Sequence, residues 1–208
     1  IYNGIDVERF KKRDPAVLRK LKEEFALKEG AVVGIIARLS DIKGHVYLLE
    51  AIKKVTESIP EVQLIIAGDG NMKRRLVTLC RELKIEGKVH FIPSVRDTAG
   101  VLSLLDVFVM PSLKEGLGLA LMEAMASGLA VVGSRVGGIE NLISHGENGL
   151  LVPAAESGAL AQAILELLLN KEKRLKFANA ASLFISKNFS AEKMCLETER
   201  LYLECQNA

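Results

Sequence analysis

Six short apolar runs, each followed by a stretch of helical character or a loop, constrain the fold more than any other feature of this sequence. The first run, residues 31–37, is continuous and rich in Val and Ile, which is typical of a strand buried on both faces. Comparable runs follow at residues 62–67, 89–92, 106–110, 130–133 and 149–152. Strands that alternate with helices indicate a parallel sheet with right-handed crossovers. We therefore predict an α/β fold, a doubly wound, Rossmann-like parallel sheet of about six strands with a helical C-terminal tail.

Helices are predicted in the stretches between these strands and at the end of the chain. Asp14 and Pro15 suit the beginning of a helix, because Asp is a good N-cap and Pro is tolerated at the first helical position. Further helices are predicted at residues 47–60, 72–83, 98–105, 156–169, 171–186 and 191–204, with an apolar one inside residues 114–128. We expect residues 1–12 to be irregular, with Phe10 packed into the body of the domain.

Composition excludes several classes of protein. A net charge of +2, from 28 basic and 26 acidic residues, gives no indication of nucleic-acid binding. The three cysteines have no CxxC spacing, so neither a disulfide framework nor a zinc site is predicted, and a reducing, cytoplasmic compartment is favoured. No run of 18 apolar residues indicates a membrane-spanning helix. The chain begins with Ile1 rather than Met, and we expect it to be part of something longer.

Two loops carry most of the functional signal. In a sheet of order 3-2-1-4-5, ligands bind beyond the carboxyl ends of the strands, where the winding reverses between strands 1 and 4. The loops after those strands, residues 38–44 and 111–118, would face each other there. The first loop offers Arg38 and Lys43, two cations that suit a diphosphate. The alternative is that Arg38 pairs with Asp41 and that Lys43 is simply solvated.

The second loop leads into an apolar stretch with one carboxylate. From residue 116 to residue 134, Glu123 is the only charged side chain, and a buried charge is costly unless something satisfies it. Gly116 and Gly118 allow a tight turn and a close approach to a ligand, and the free amides of the helix start can bind an anion. Glu115 and Glu123 could then reach one polyhydroxylated ligand. Alternatively, Glu123 pairs internally with a cation and Glu115 lies at the surface.

The signatures of other nucleotide-binding classes are absent from the sequence. It contains neither GxGxxG nor GxxxxGK[ST], which argues against dinucleotide oxidoreductases and P-loop enzymes. The histidines are scattered without ligand spacing, so no metal site is predicted. Asp69, between two glycines, is interpreted as a turn residue or helix N-cap rather than a catalyst.

Six motifs match one family in order and spacing. They are Asn3-Gly4-Ile5-Asp6, Ala37-Arg38-Leu39 with Lys43-Gly44, Ala67-Gly68-Asp69-Gly70, Asp106-Val107-Phe108-Val109 with Pro111-Ser112, Glu115-x7-Glu123, and Gly146-Glu147-Asn148-Gly149. Over nearly its whole length the chain therefore resembles the C-terminal, donor-binding half of the group 1 (family 4) retaining glycosyltransferases of GT-B fold. Each motif alone is weak, and their agreement makes the resemblance specific.

The resemblance implies transfer of a hexose from a UDP- or GDP-sugar to an acceptor, with retention of configuration and without metal or cofactor, as in polysaccharide biosynthesis. It implies that Arg38 and Lys43 hold the diphosphate and stabilise the departing nucleotide, that Glu115 binds the sugar and that Glu123 binds the ribose. Arg38, Lys43 and Glu115 would be catalytic. The other implied donor contacts are Pro93, Ser94 and Val95 along the base, and Gly116, Gly118, Leu119 and Ala120 at the phosphate or sugar.

The resemblance also implies that a second domain is missing. We interpret residues 1–208 as one C-terminal domain, in which residues 1–12 lead in from an absent N-terminal, acceptor-binding domain. Residues 190–208 would pack back toward that domain. The isolated domain is expected to be inactive. For the full-length protein we expect a cytoplasmic location, with contact at the inner face of the membrane through basic surface such as residues 171–176.

Three departures from the family pattern stand out, and two rival functions stay open. Leu117 stands where Phe is more frequent, Pro93 where Gly is frequent, and Glu140-Asn141 where Pro-Glu is usual, which puts the role of that Glu in doubt. One rival is a nucleotide-sugar 2-epimerase of similar fold, although such enzymes lack the paired glutamates at this spacing. The other is a non-catalytic nucleotide-binding module.

Overall fold

A six-stranded parallel sheet forms the centre of the molecule. The structure, a computed structural model, describes residues 1–11, 14–94 and 97–206. The strands are β1 (Val32–Ile36), β2 (Gln63–Ala67), β3 (Val89–Ile92), β4 (Val107–Met110), β5 (Ala130–Ser134) and β6 (Leu150–Val152). Their order is β3-β2-β1-β4-β5-β6, and every neighbouring pair is parallel. The predicted fold class is therefore confirmed, and each strand lies within one or two residues of its predicted position.

Helices occupy the stretches between the strands and the end of the chain. They are α1 (Val7–Lys11), α2 (Pro15–Glu24), α3 (His45–Ser58), α4 (Lys73–Glu82), α5 (Thr98–Ser103), α6 (Leu119–Ala126), α7 (Gly137–Leu142), α8 (Ser157–Leu169), α9 (Lys171–Asn188) and α10 (Ala191–Gln206). The N-cap prediction is confirmed, because the Asp14 carboxylate accepts a hydrogen bond from the Ala16 amide at 2.8 Å. The prediction of an irregular segment at residues 1–12 was wrong at α1, which buries Val7 and Phe10. The short helix α7 was not predicted either.

The core consists of two hydrophobic clusters, one on each face of the sheet. Side chains of a strand alternate between them: in β4, Val107 and Val109 belong to one cluster, Phe108 and Met110 to the other. Helices α3, α4 and α8 cover the first face, and α1, α5, α6 and α7 cover the second. A strand covered on both faces must be apolar at consecutive positions, which explains why the strands appear in the sequence as continuous apolar runs.

The register of the strands sets the edge at which their loops emerge. Ile36 at the end of β1 lies opposite Ala67 at the end of β2, and Met110 at the end of β4 lies opposite Gly133. β1 and β4 are themselves neighbours. The loops after these strands therefore leave the sheet side by side, on the two sides of the winding reversal.

The last helix packs loosely against the rest of the domain. α10 has no buried residue, and its Leu196, Tyr202 and Leu203 are each more than half exposed. No helix within the described residues is both long enough and apolar enough to cross a membrane.

A buried histidine begins α3, directly after the loop that follows β1. His45 is 2 % exposed, and neither ring nitrogen has a hydrogen-bond partner. Burial lowers the pKa of His45 to about 4, since charging the ring without water is costly, and the nearby Lys43 ammonium adds to this effect. The imidazole is therefore neutral at physiological pH.

We predict that His45 makes the fold sensitive to acid. Its pKa is lower in the folded than in the unfolded chain, so protons favour unfolding between pH 6.5 and about 4 and have little effect above that range. The contribution is about 3 kcal/mol of the free energy of unfolding, lost as the pH falls through this window. Urea unfolding at several pH values should show a flatter curve for His45→Gln than for the wild type.

Other titrating groups are present in both proteins and cancel in this comparison. Burial also lowers the pKa of His90, which adds to the acid sensitivity, whereas burial raises the pKa of Glu123, which opposes it. Parallel pH curves for the wild type and His45→Gln would show that the His45 ring is not the origin of the effect.

Candidate functional site

A cavity of about 790 Å³ lies at the carboxyl edge of the sheet, between the loops that follow β1 and β4. The two loops are in direct contact, because the Leu113 amide donates a hydrogen bond to the Ile42 carbonyl at 2.7 Å. The residues that line the cavity are Asn3, Ile36, Ala37, Arg38, Ser40, Asp41, Ile42, Lys43, Met110, Glu115, Leu117, Gly118, Leu119 and Ala120. The structure thus places six of the predicted site residues around one space.

An ion pair joins the two loops inside this cavity. Lys43 Nζ lies 2.6 Å from Glu115 Oε2, and the side chains are only 20 % and 11 % exposed. Lys43 is therefore not simply solvated, and Glu115 is not a surface residue. Among the described residues no ion pair joins Arg38 to Asp41. Asp41 pairs with Arg75 instead, with 3.6 Å between Asp41 Oδ1 and Arg75 Nη1. The simpler interpretation of Arg38 and Lys43 is thus disfavoured, as is a surface position for Glu115, whereas the alternative of a cation near Glu123 is not affected by these contacts.

Glu115 is held in place by groups that the sequence analysis did not identify as functional. The Ser112 hydroxyl, which belongs to a fully buried residue, donates to Glu115 Oε2 at 3.2 Å. The Gly138 amide, at the start of α7, donates to the Glu115 carbonyl at 3.1 Å. A Cβ at Gly138 would stand 1.7 Å from the Gly116 carbonyl oxygen. The loop and α7 therefore approach more closely than any side chain at residue 138 allows.

The two glycines of the loop differ in their conformational roles. Gly118 has φ +76°, a left-handed conformation that favours glycine, and it directly precedes α6. Gly116 has no such φ, and a Cβ there would meet nothing within 4 Å. Leu119 and Ala120, the first residues of α6, line the cavity, and the first amides of a helix have no intrahelical acceptor, so they can bind an anion.

A second, smaller cavity of about 180 Å³ adjoins Arg38 on the side of β2. Ile36, Ala37, Ala67, Gly68 and Ser94 complete its lining. Arg38 borders both cavities and is exposed. Pro93 is exposed beside Ser94, whereas Val95 lies outside the described residues.

Asp69 fixes the loop after β3 to the loop after β2. Its carboxylate accepts a hydrogen bond from the Ser94 amide at 2.8 Å, and its carbonyl accepts one from the Leu39 amide at 2.9 Å. It does not cap α4, whose N-cap position is Met72. The helix-cap alternative for Asp69 was therefore wrong, and Asp69 instead connects three loops at this edge.

Glu123 lies apart from the lining of the large cavity. It is half-buried on α6; burial raises the pKa of its carboxyl group, while a hydrogen bond from the Thr98 side chain and the charge of Arg9 partly oppose this shift. Thr98 begins α5, just beyond the loop that contains Ser94. Glu123 therefore lies near Thr98 at the start of α5 and near Arg9 of α1, and not in the lining of the large cavity.

The positions that depart from the family pattern lie in different surroundings. Leu117 and the unpredicted Asn3 line the large cavity. Glu140 lies 3.9 Å from Arg135, and Asn141 is exposed. Within the described residues, no three Asp, Glu, His or Cys side chains are grouped so that they could hold a metal ion.

The sequence model of the family described as glycosyl transferases group 1 matches residues 19–184. The chain belongs to the group 1 glycosyltransferases. It is 30 % identical over 205 residues to the N-acetyl-alpha-D-glucosaminyl L-malate synthase of Bacillus anthracis, covering 98 % of this chain and 53 % of that protein. This group 1 glycosyltransferase chain therefore spans about half the length of that curated relative.

Solved structures of glycosyltransferases have the same fold. HepE of Anabaena, solved in complex with UDP-glucose, superposes with a TM-score of 0.92 at 28 % identity, covering 98 % of this chain and 57 % of that one. The C-terminal domain of the group 1 family protein LpcC of Francisella tularensis superposes with a TM-score of 0.80 at 24 % identity, covering 90 % and 99 %. The second likeness concerns the fold alone.

We predict that Gly138→Ala disturbs the Glu115 loop. The added Cβ would meet backbone atoms, the Gly116 carbonyl oxygen at 1.7 Å and Leu117 Cα at 2.8 Å, which cannot rotate away. We expect the free energy of unfolding to fall by about 1–3 kcal/mol, the usual cost of overpacking.

Gly87→Ala is the matched control, because a Cβ at Gly87 would meet nothing within 4 Å. Urea unfolding of both variants measures the difference. A loss for Gly138→Ala no larger than that for Gly87→Ala would contradict the close approach of α7 to the loop.

Proposed function

We propose that this chain is the donor-binding domain of a glycosyltransferase that transfers a hexose from a nucleoside-diphosphate sugar. One observation carries the proposal: the cavity at the winding reversal combines Arg38 and Lys43 with Glu115 and with the amides that begin α6. The cations and amides suit a diphosphate, and the carboxylate suits sugar hydroxyls. The likeness to HepE with bound UDP-glucose supports the same ligand class.

Arg38 and Lys43 are proposed to hold the diphosphate. The Arg38 side chain has no ion pair among the described residues, so its donors are free for phosphate oxygens. Lys43 lines the same cavity as Arg38 and carries a compact point charge. As the bond to the sugar breaks, negative charge grows on the departing nucleotide, and two fixed cations stabilise that charge without reorganisation.

Glu115 and Glu123 are proposed to bind different parts of the donor. Glu115 lines the cavity and is mostly buried, and its carboxylate is proposed to accept hydrogen bonds from the transferred sugar. Glu123, beside Thr98 and the loop after β3, is proposed to accept from the ribose. The base would then lie along Pro93 and Ser94, with Ser94 beside the smaller cavity; the contact with Val95 is proposed from the resemblance alone.

The reaction is proposed to retain the anomeric configuration and to need no metal or cofactor. Arg38, Lys43 and the amides that begin α6, which belong to residues lining the cavity, are proposed to neutralise the diphosphate. That arrangement supplies the charge stabilisation for which other enzymes use a divalent cation. Retention is proposed from the resemblance to the group 1 family.

The acceptor is proposed to bind to a second, N-terminal domain. The chain covers 53 % of its Bacillus anthracis relative. Residues 1–12 would lead in from that domain, and residues 190–208 would pack toward it, which agrees with the exposed leucines of α10. Residues 1–208 alone are proposed to bind the donor without turnover. The location is proposed to be cytoplasmic, with the whole protein at the inner membrane face.

We predict that the 208-residue chain binds UDP or GDP in calorimetry and that Arg38→Ala or Lys43→Ala weakens binding. Loss of one charge-assisted contact to phosphate should reduce affinity by about 10- to 100-fold. Lys114→Ala is the control. It removes the same charge next to Glu115 in the sequence, but Lys114 is exposed and does not line the cavity. Equal affinities for wild type, Arg38→Ala and Lys43→Ala would refute the proposed diphosphate site.

A separate prediction concerns the full-length enzyme. Its activity should be unchanged in excess EDTA, because the cations of the site replace a metal. A proton NMR spectrum of the first product formed should show the same anomeric configuration as that of the sugar in the donor. Inverted product, or activity that EDTA removes and Mg²⁺ restores, would contradict this part of the proposal.

A further inference from the structure

In the free domain Lys43 is paired with Glu115, so the ammonium group that a diphosphate would bind already has a partner. We propose that this ion pair, called the latch below, is broken more easily by the intact sugar nucleotide than by the bare nucleoside diphosphate. Ser112 keeps Glu115 in position during the exchange. The inference rests on the proposed function, because it assumes that the cavity binds a nucleoside-diphosphate sugar.

The geometry of Glu115 shows which contact can be exchanged. Lys43 Nζ and Ser112 Oγ both reach the same oxygen, Oε2, at 2.6 and 3.2 Å. The described contacts place no donor on Oε1. Ser112 is fully buried, whereas the Lys43 side chain retains 20 % exposure and lines the cavity. Lys43 can therefore turn toward a phosphate, while the buried Ser112 stays beside the carboxylate and continues to donate to it.

The charges then distinguish two ligands. A bare nucleoside diphosphate competes with Glu115 for Lys43 and leaves the carboxylate without its cation, close to a new negative charge. A nucleoside-diphosphate sugar makes the same exchange, but its sugar hydroxyls donate to Glu115 in place of the ammonium. Repulsion of the wrong ligand is a common source of specificity. Glu115 should therefore weaken the binding of the product nucleotide relative to the donor, which favours product release.

Ser112 acts as a positioning residue in this scheme. In Ser112→Ala, Glu115 keeps its contact with Lys43. It loses the hydroxyl donor that would hold the carboxylate once Lys43 has turned away. Ser112→Ala should therefore weaken the sugar nucleotide more than the bare nucleotide, because only the sugar nucleotide also depends on the position of Glu115 for its hydroxyl contacts. A merely structural role would change the affinities for both ligands alike.

The test measures affinities of the 208-residue chain by calorimetry for UDP and UDP-glucose, and for GDP and GDP-mannose. We expect Glu115→Gln to bind the bare diphosphate about tenfold more tightly than the wild type, the size of one charge-assisted contact, and the sugar nucleotide no more tightly. We expect Ser112→Ala to weaken the sugar nucleotide several-fold more than the diphosphate. Glu140→Gln is the control, a neighbouring exposed carboxylate outside the cavity lining.

The outcomes separate this inference from the proposed function. Diphosphate binding by Glu115→Gln that equals or falls below that of the wild type would overturn the latch, although loss of binding in Arg38→Ala would still support the diphosphate site. Absence of binding of all four ligands to the wild type would overturn both. Thermal unfolding verifies that Glu115→Gln is folded, and Ser112→Ala tests the latch with the charge intact. A Ser112→Ala variant with unchanged affinity for the sugar nucleotide would show that Ser112 does not position Glu115.

Discussion

Two parallel strands that are distant in the sequence, β1 and β4, are paired at the centre of the sheet, and the candidate site depends on that pairing. Because both strands run the same way, their carboxyl ends meet at one edge, and the following loops leave the sheet toward opposite sides. The crevice between the loops is thus a consequence of topology. Backbone bonds such as Leu113 to Ile42 then fix the spacing of the loops, so that Lys43 of one can reach Glu115 of the other.

The sequence could predict the sheet because a strand buried on both faces must be apolar throughout, and six such runs are present. The helix at α1 could not be predicted in this way, since it has five residues and only Val7 and Phe10 indicate a buried side. Short helices are stabilised by tertiary packing rather than by their own propensity. The same reason applies to α7, whose first turn donates a hydrogen bond from the Gly138 amide to the Glu115 carbonyl.

The site residues were predictable as a set, but not in their pairing. The loops that contain Arg38, Lys43 and Glu115 were expected to converge, and the structure places all three around one cavity. That Lys43 would pair with Glu115 rather than remain in water depends on side-chain positions across two loops, which local sequence does not specify. Ser112 was part of a matched motif, yet its buried hydroxyl becomes meaningful only once Glu115 is seen beside it.

The two glutamates of the shared motif illustrate how position determines electrostatic character. Glu115 has a cation at 2.6 Å and a hydroxyl donor, so its charge is compensated within a mostly buried setting. The charge of Glu123 is less well compensated. Burial raises the pKa of its carboxyl group, and Thr98 and Arg9 only partly oppose that shift. An ion pair out of water seldom stabilises a fold more than apolar residues would, because desolvation offsets the attraction. The pair of Lys43 and Glu115 therefore fits the proposed ligand exchange better than a role in stability. In that proposal each partner holds the other in place until a ligand with both negative oxygens and hydroxyl donors replaces the two contacts together.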